Sequence, residues 1–175
     1  MRKFLDTLYT GSGILAGVFL ILIAALSLAQ ICGRVLGFDA YSFDDFAGFC
    51  MAASSFLGLA HTYRRNEHIR VSILVDRLAG GSRRVLEILC LSASAFLIGY
   101  FAWYATDMVL TSYQINDVSQ GLVPVPLWIP QSGMALGLAI MTIAMLDDLI
   151  LVLRRGTPSY QIAEQNKSLA LSENI

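Results

Sequence analysis

The sequence predicts an all-α integral membrane protein: four transmembrane helices, an amphipathic interfacial helix between the second and third, and both termini in the cytoplasm. Three observations carry that prediction. Of 175 residues, 56% are hydrophobic and only 14% are charged, against about a quarter charged in an ordinary globular chain. The mean hydropathy is +0.63 for a mass of 19.1 kDa, more apolar surface than a soluble domain of that size can hide. The charges are gathered into short clusters that leave long uncharged runs between them, and Lys and Arg are divided very unevenly among the connections.

The uncharged runs place the spans, because an ionised side chain is costly at the bilayer centre and a crossing needs about 20 apolar residues. Thr7 to Gly33 has 27 uncharged residues, about 40 Å of helix, and predicts a first span over about 10–34 that tilts or emerges at one end. Phe46 to Tyr63 has 18, between Asp44-Asp45 and Arg64-Arg65, and predicts a second over 45–63. Ser42-Phe43-Asp44-Asp45 matches a capping box at its start, with acids at the positive end of the helix dipole. Ile88 to Thr106 has 19 and predicts a third span over 86–107, with Asp107 at its outer end. Pro124, Pro126 and Pro130 punctuate the approach to a fourth over 130–153, and Pro130 suits a first helical turn, where its missing N–H costs nothing. Trp128 falls in the outer aromatic belt.

Between the second and third spans, residues 68–79 (HIRVSILVDRLA) gather Val71, Leu74, Val75 and Leu78 on one helical face beside Arg70 and Arg77. Such a segment lies flat in the headgroup region. Gly80-Gly81 breaks it, and Ser82 can cap the third helix. Residues 1–155 thus form one membrane domain, and 156–175 a polar cytosolic tail without periodicity.

Orientation follows from Lys and Arg alone. In a four-span chain the N-terminus, the second connection (Arg64, Arg65, Arg70, Arg77, Arg83, Arg84) and the C-terminal segment share a side. That side then holds eleven of the 12 Lys and Arg residues, against Arg34 on the other. Arg2-Lys3, the apolar run and Ser27-Leu28-Ala29 also resemble a cleavable signal, but the run continues past the cut, and cleavage would not alter the remaining spans.

Composition excludes several function classes. A net charge of −1 gives no footprint for nucleic acid. Cys32, Cys50 and Cys90 sit in or beside apolar runs and read as packing residues. With only His61 and His68, the usual makings of a zinc or bis-histidine haem site are missing, and no cofactor is expected. Several serines lie in the spans, but no His or Lys sits deep enough to activate one. The first three spans hold no Asp, Glu, Lys or Arg between their ends, so an embedded ion site of the kind that marks a self-sufficient transporter is not expected there. Asp147 and Asp148 are the best acids for a cation, yet they fall at the inner interface, about 26 Å below Pro130. His61 reads as an interfacial histidine with a water or phosphate partner.

The positive signal is for packing. Gly13-xxx-Gly17, Gly33-xxx-Gly37 and Gly133-xxx-Gly137 are small-xxx-small spacings that let helix backbones approach closely, and Gly58 ends a small-residue run in the second span. Four short helices cannot bury all these faces against one another, which points to a partner protein. The cytosolic basic residues (Arg64, Arg65, His68, Arg70, Arg77, Arg83, Arg84) suit anionic phospholipid headgroups.

Over about residues 10–153 the chain resembles the small membrane subunit of tripartite ATP-independent periplasmic (TRAP) transporters. Three stretches carry the resemblance: Asp44-Asp45 with the small-residue run to Gly58; Tyr63-Arg64-Arg65 to His68-Ile69-Arg70-Val71 with Arg83-Arg84 after it; and Pro124 to Pro130 (PVPLWIP). The middle stretch is the most specific. The family often has an acid where Ser72 stands, and a proline where Gly80-Gly81 stand. The resemblance implies a non-catalytic subunit of the bacterial inner membrane with no substrate site of its own. Its partners would be a large membrane subunit, which holds the sodium and substrate sites and moves as an elevator, and a periplasmic binding protein that delivers an organic acid. Asp44 and Asp45 would face that binding protein. Two other classes remain open from the residues alone: a stand-alone homo-oligomeric exporter, which would need an essential charge within a span, and a membrane anchor of another complex, which would need haem or quinone ligands.

Overall fold

The computed structural model describes residues 2–37, 42–64 and 81–154. The segment expected over 68–79 and the tail expected over 156–175 lie outside the described residues. The described residues form four helices: α1 Arg2–Leu36, α2 Phe43–Arg64, α3 Gly81–Gln114 and α4 Trp128–Leu153. Each overruns the span expected for it. Helical hydrogen bonding does not stop where an uncharged run ends, so a helix extends past the residues that bound the run. Asp107 is therefore not the end of α3, which runs on to Gln114.

Neighbouring contacts fix the order of the helices. α1 packs on α2, α2 on α4, and α4 on α3, while α1 barely reaches α4. The four form an open row, α1–α2–α4–α3, rather than a closed square. Register gives the directions. His61 meets Tyr9 while Ser54 meets Ala16, so α1 and α2 are antiparallel. Gly133 meets Ala53 and Gly137 meets Phe56, so α2 and α4 are parallel. Gly99 meets Thr142 and Tyr113 meets Trp128, so α3 and α4 are antiparallel. The start of α1, the end of α2 and the end of α4 consequently lie at the same level, on one side of the molecule along the helix axes.

Small residues set the spacing within the row. Ala16, Ala53, Ala60, Ala95 and Ala144 belong to the main buried cluster, where short side chains let backbones approach in the absence of a hydrophobic drive. On α3 the residues turned inward are Leu91, Ala95, Ile98, Ala102, Ala105, Val109 and Ser112. Their alternating spacing of four and three is the seam of a coiled-coil-like contact.

Three helical stretches are long and apolar enough to cross a membrane: Leu5–Leu36, Val85–Gln114 and Trp128–Leu153. α2 falls short of that measure, and its position explains why. It is flanked by α1 and α4, so it need not be apolar all round. Its polar groups bond inside the protein: Ser54 Oγ donates to the Ala16 carbonyl at 3.0 Å, and Thr62 Oγ1 donates to Leu59 O at 3.0 Å. Its 22 residues still reach about 33 Å.

Candidate functional site

At the end where α1 begins and α2 and α4 finish, a polar cluster is enclosed by apolar side chains. Tyr9, Ser12, Tyr63 and Asp148 are all buried. Ser12 Oγ donates to the Tyr9 carbonyl at 2.9 Å. The same carbonyl lies 3.3 Å from His61 Nδ1; since a carbonyl can only accept, Nδ1 carries the proton. The His61 ring rests on Gly13, where an added β-carbon would stand 2.6 Å from its Cγ. The missing side chain at Gly13 lets the ring in, so that its Nδ1 is engaged by the backbone of α1. Asp148 is 1% exposed, enclosed between helices near the end of α4, while its neighbour Asp147 is half-buried. Sequence reasoning singled out neither Tyr9 nor Ser12, and Tyr63 only as the end of the second span and part of the resemblance; the signal for the cluster was a polar group at i, i+3 on α1 and one turn beyond Ala60 on α2. Among the described residues, no group of three or more His, Cys, Asp or Glu could hold a metal ion.

The opposite end is built from the start of α2 and the loop joining α3 to α4. α3 closes with Asn116 in a left-handed conformation at φ 51°. Asp117 N donates to Ser112 O at 2.9 Å and Asn116 N to Tyr113 O at 3.4 Å, the paired bonds of a Schellman stop. The loop then folds on itself: Ser119 N donates to Val125 O at 2.8 Å and Leu127 N to Asp117 O at 3.0 Å, about an isolated bridge between Val118 and Pro126. Ser119 Oγ accepts from Val125 N at 3.0 Å. Tyr113 and Trp128 clasp its base, ring centroids 5.8 Å apart and edge to face. The loop docks on α2, where Val123 N donates to Ser42 Oγ at 3.1 Å and Gly121 packs against the Asp45 carboxylate. The capping box expected at Ser42 is not formed. Ser42 takes φ 64° and its hydroxyl serves the loop instead. Asp44 and Asp45 are exposed in the first turn of α2, on the same end as the Pro-rich loop.

The glycines expected to pack behave unequally. An added β-carbon at Gly137 would run into the Phe56 carbonyl carbon, and one at Gly133 would lie 3.0 Å from Ala53 Cβ. Gly58 faces Ala16 at an ordinary 3.8 Å, and Gly17 has nothing within 4 Å. Gly37 does not pack at all in the expected sense: at φ 75° it stands one residue past Leu36 and stops α1. The close contacts at Gly13, Gly133 and Gly137 are all made within the chain, so those glycines no longer point to a partner. Of the basic residues, Arg64 is the last of α2, Arg83 and Arg84 lie in the first turn of α3, and Arg65, His68, Arg70 and Arg77 lie outside the described residues.

Sequence reasoning also missed the outer face of α3. Phe96, Tyr100, Phe101, Trp103 and Tyr104 are all exposed there. Tyr100 and Tyr104 have ring centroids 4.6 Å apart, and Phe96 and Tyr100 6.5 Å. The signal was the i, i+4, i+7, i+8 recurrence of aromatic residues.

Long apolar helices, an interior held by backbone approach, and polar groups engaged by the chain itself define a membrane-embedded helical subunit. Comparison with known proteins gives its family: the model for the tripartite ATP-independent periplasmic transporters, DctQ component, matches residues 23–155, and the chain belongs to that family of TRAP transporter small permeases. It is similar to the ectoine TRAP transporter small permease protein TeaB of Halomonas elongata, at 24% identity over 140 residues covering 77% of this chain and 72% of the relative. Family membership makes the chain a transporter subunit rather than an enzyme, and implies association with a large membrane subunit and a substrate-binding protein.

Proposed function

We propose that this chain is the small membrane subunit of a sodium-coupled transporter that takes up an organic acid anion across the bacterial inner membrane. In this reading all four helices span, both termini are cytoplasmic, and the chain is a non-catalytic scaffold and membrane anchor for a large subunit that moves as an elevator. The observation that supports it best is the open row α1–α2–α4–α3. A row extends further across the bilayer and meets more lipid along its perimeter than a compact square of the same helices, and resistance to tilting grows with that extent. A moving transport domain needs such a fixed neighbour. The cytosolic basic residues, Arg64, Arg65, His68, Arg70, Arg77, Arg83 and Arg84, anchor the slab on phospholipid headgroups. Asp44 and Asp45, beside the docked loop, form the outer surface that receives the binding protein. The relative is named for ectoine, a name that belongs to that protein, and the substrate here is selected by the partner proteins.

Affinity purification of the tagged full chain from its own cells in mild detergent tests this. A stoichiometric, much larger membrane protein is expected to co-elute. Recovery of the chain only with itself would overturn the scaffold reading in favour of a homo-oligomeric exporter. Asp44→Lys with Asp45→Lys is expected to lower uptake while co-elution persists; unchanged uptake would remove the outer contact.

A further inference from the structure

The two helices at the ends of the row expose very different faces. On α1 the exposed residues include Ile14, Leu15, Val18, Ile21, Leu22 and Leu28, side chains with no polar atom, as contact with lipid tails requires. On α3 they are Phe96, Tyr100, Trp103 and Tyr104, with Phe96 and Trp103 each 75% exposed. Depth makes the difference informative. Tyr100 stands 15 residues after Val85 and 14 before Gln114 in its apolar stretch, about 21–22 Å from either end. Gly99 beside it meets Thr142, 3.5 Å from an added β-carbon, near the middle of α4. Phe96, Trp103 and Tyr104 lie within about 6 Å of that level, whereas the hydrocarbon extends about 15 Å to either side.

Tyr and Trp on a lipid-facing surface gather at the membrane–water interfaces, where the ring is buried and the N–H or O–H reaches water or headgroups. At mid-depth neither is in reach. The Tyr100 and Tyr104 hydroxyls hydrogen-bond each other, but an indole N–H turned outward at that depth needs an acceptor, and among the described residues none meets the Trp103 indole. Only protein can supply one at that depth. We propose that this aromatic face of α3 is where the large membrane subunit docks, laying one of its spanning helices across Phe96, Tyr100 and Trp103 with a hydrogen-bond acceptor opposite the indole. The α1 end of the row is left to lipid. The assignment rests on the reading of the chain as the small subunit of a transporter with two membrane subunits; that reading alone does not say which end of the row is covered.

Photo-crosslinking in the intact, co-expressed complex tests the assignment. Trp103→p-benzoylphenylalanine is expected to link to the large subunit, identified by mass spectrometry of the product. Ile21→p-benzoylphenylalanine, on the α1 face, is expected to link to lipid alone. As a second readout, Trp103→Leu with Tyr104→Leu should lower recovery of the large subunit about tenfold at equal membrane insertion, as loss of aromatic anchors at an interface predicts. If the large subunit co-purifies but position 103 links only to lipid or to a second copy of this chain, the docking face is wrong and the subunit reading stands. The same holds if position 21 captures the large subunit and position 103 does not. If the unmodified chain brings down no larger membrane protein, the subunit reading fails and the docking face with it.

Discussion

Gly17 and Gly137 look alike in the sequence, each the second member of a glycine pair four residues apart in an apolar helix, yet their roles differ. At Gly137 the neighbour is the backbone at Phe56–Leu57, which cannot swing aside. At Gly17 there is open space. Gly137→Ala is therefore expected to destabilise the folded chain by about 1–3 kcal/mol or more, and Gly17→Ala to leave stability unchanged or raise it by up to about 1 kcal/mol. Thermal unfolding of the two variants in the same detergent checks this, and equal midpoints would contradict the α2–α4 crossing. The sequence marks glycines that could permit close approach; which helix comes to fill the space depends on the order of the row, and no spacing within one helix encodes that. His61 illustrates the same limit. Its place near the end of α2 was legible from the charges that follow it, but its partner was not, because the Tyr9 carbonyl is a backbone group that every residue possesses.

At the scale of elements, the uncharged runs located all four helices, including α2, whose polar residues hide it from a hydropathy measure. Helix ends were less legible. Asp107 looked like a terminus because it is charged, but the actual stop is conformational: Asn116 adopts the left-handed geometry that lets two amides fold back onto Ser112 and Tyr113. Asn bears that geometry better than residues with an ordinary side chain, and glycine bears it best. Asn116→Ala is expected to weaken the stop by about 1–2 kcal/mol, and Asn116→Gly to preserve it. The consequence should be confined to the outer loop, since Asp117 and Ser119 open its hairpin-like closure. Hydrogen exchange at residues 117–127 provides the measurement: protection falls in Asn116→Ala only, and equal protection in both variants would mean that the loop is held by its contacts with Ser42 and Asp45 instead. Those contacts were also hidden from the sequence, where Ser42 reads as a cap for its own helix because a cap is the commonest use of serine at that position.

For the whole molecule, the row and the proposed scaffold make a joint demand: the helices must keep their neighbours while the complex transports. A disulfide between α1 and α2 tests both parts. An added β-carbon at Gly58 would lie 3.8 Å from Ala16 Cβ, the mean separation of about 3.8 Å found across disulfides. With Cys32, Cys50 and Cys90 first replaced by alanine, Ala16→Cys with Gly58→Cys should oxidise readily. Ile14→Cys with Phe96→Cys, at opposite ends of the row, should not. A closed bundle would bring α1 and α3 side by side and make the second pair a candidate for linkage, so the contrast reports the row itself. Uptake by the oxidised complex then separates a static subunit from a moving one. A scaffold that keeps α1 and α2 together throughout the cycle loses nothing when they are tied, and uptake should match that of the reduced protein. If oxidation stops uptake and reduction restores it, α1 and α2 part during transport, and the small subunit takes part in the motion instead of resisting it.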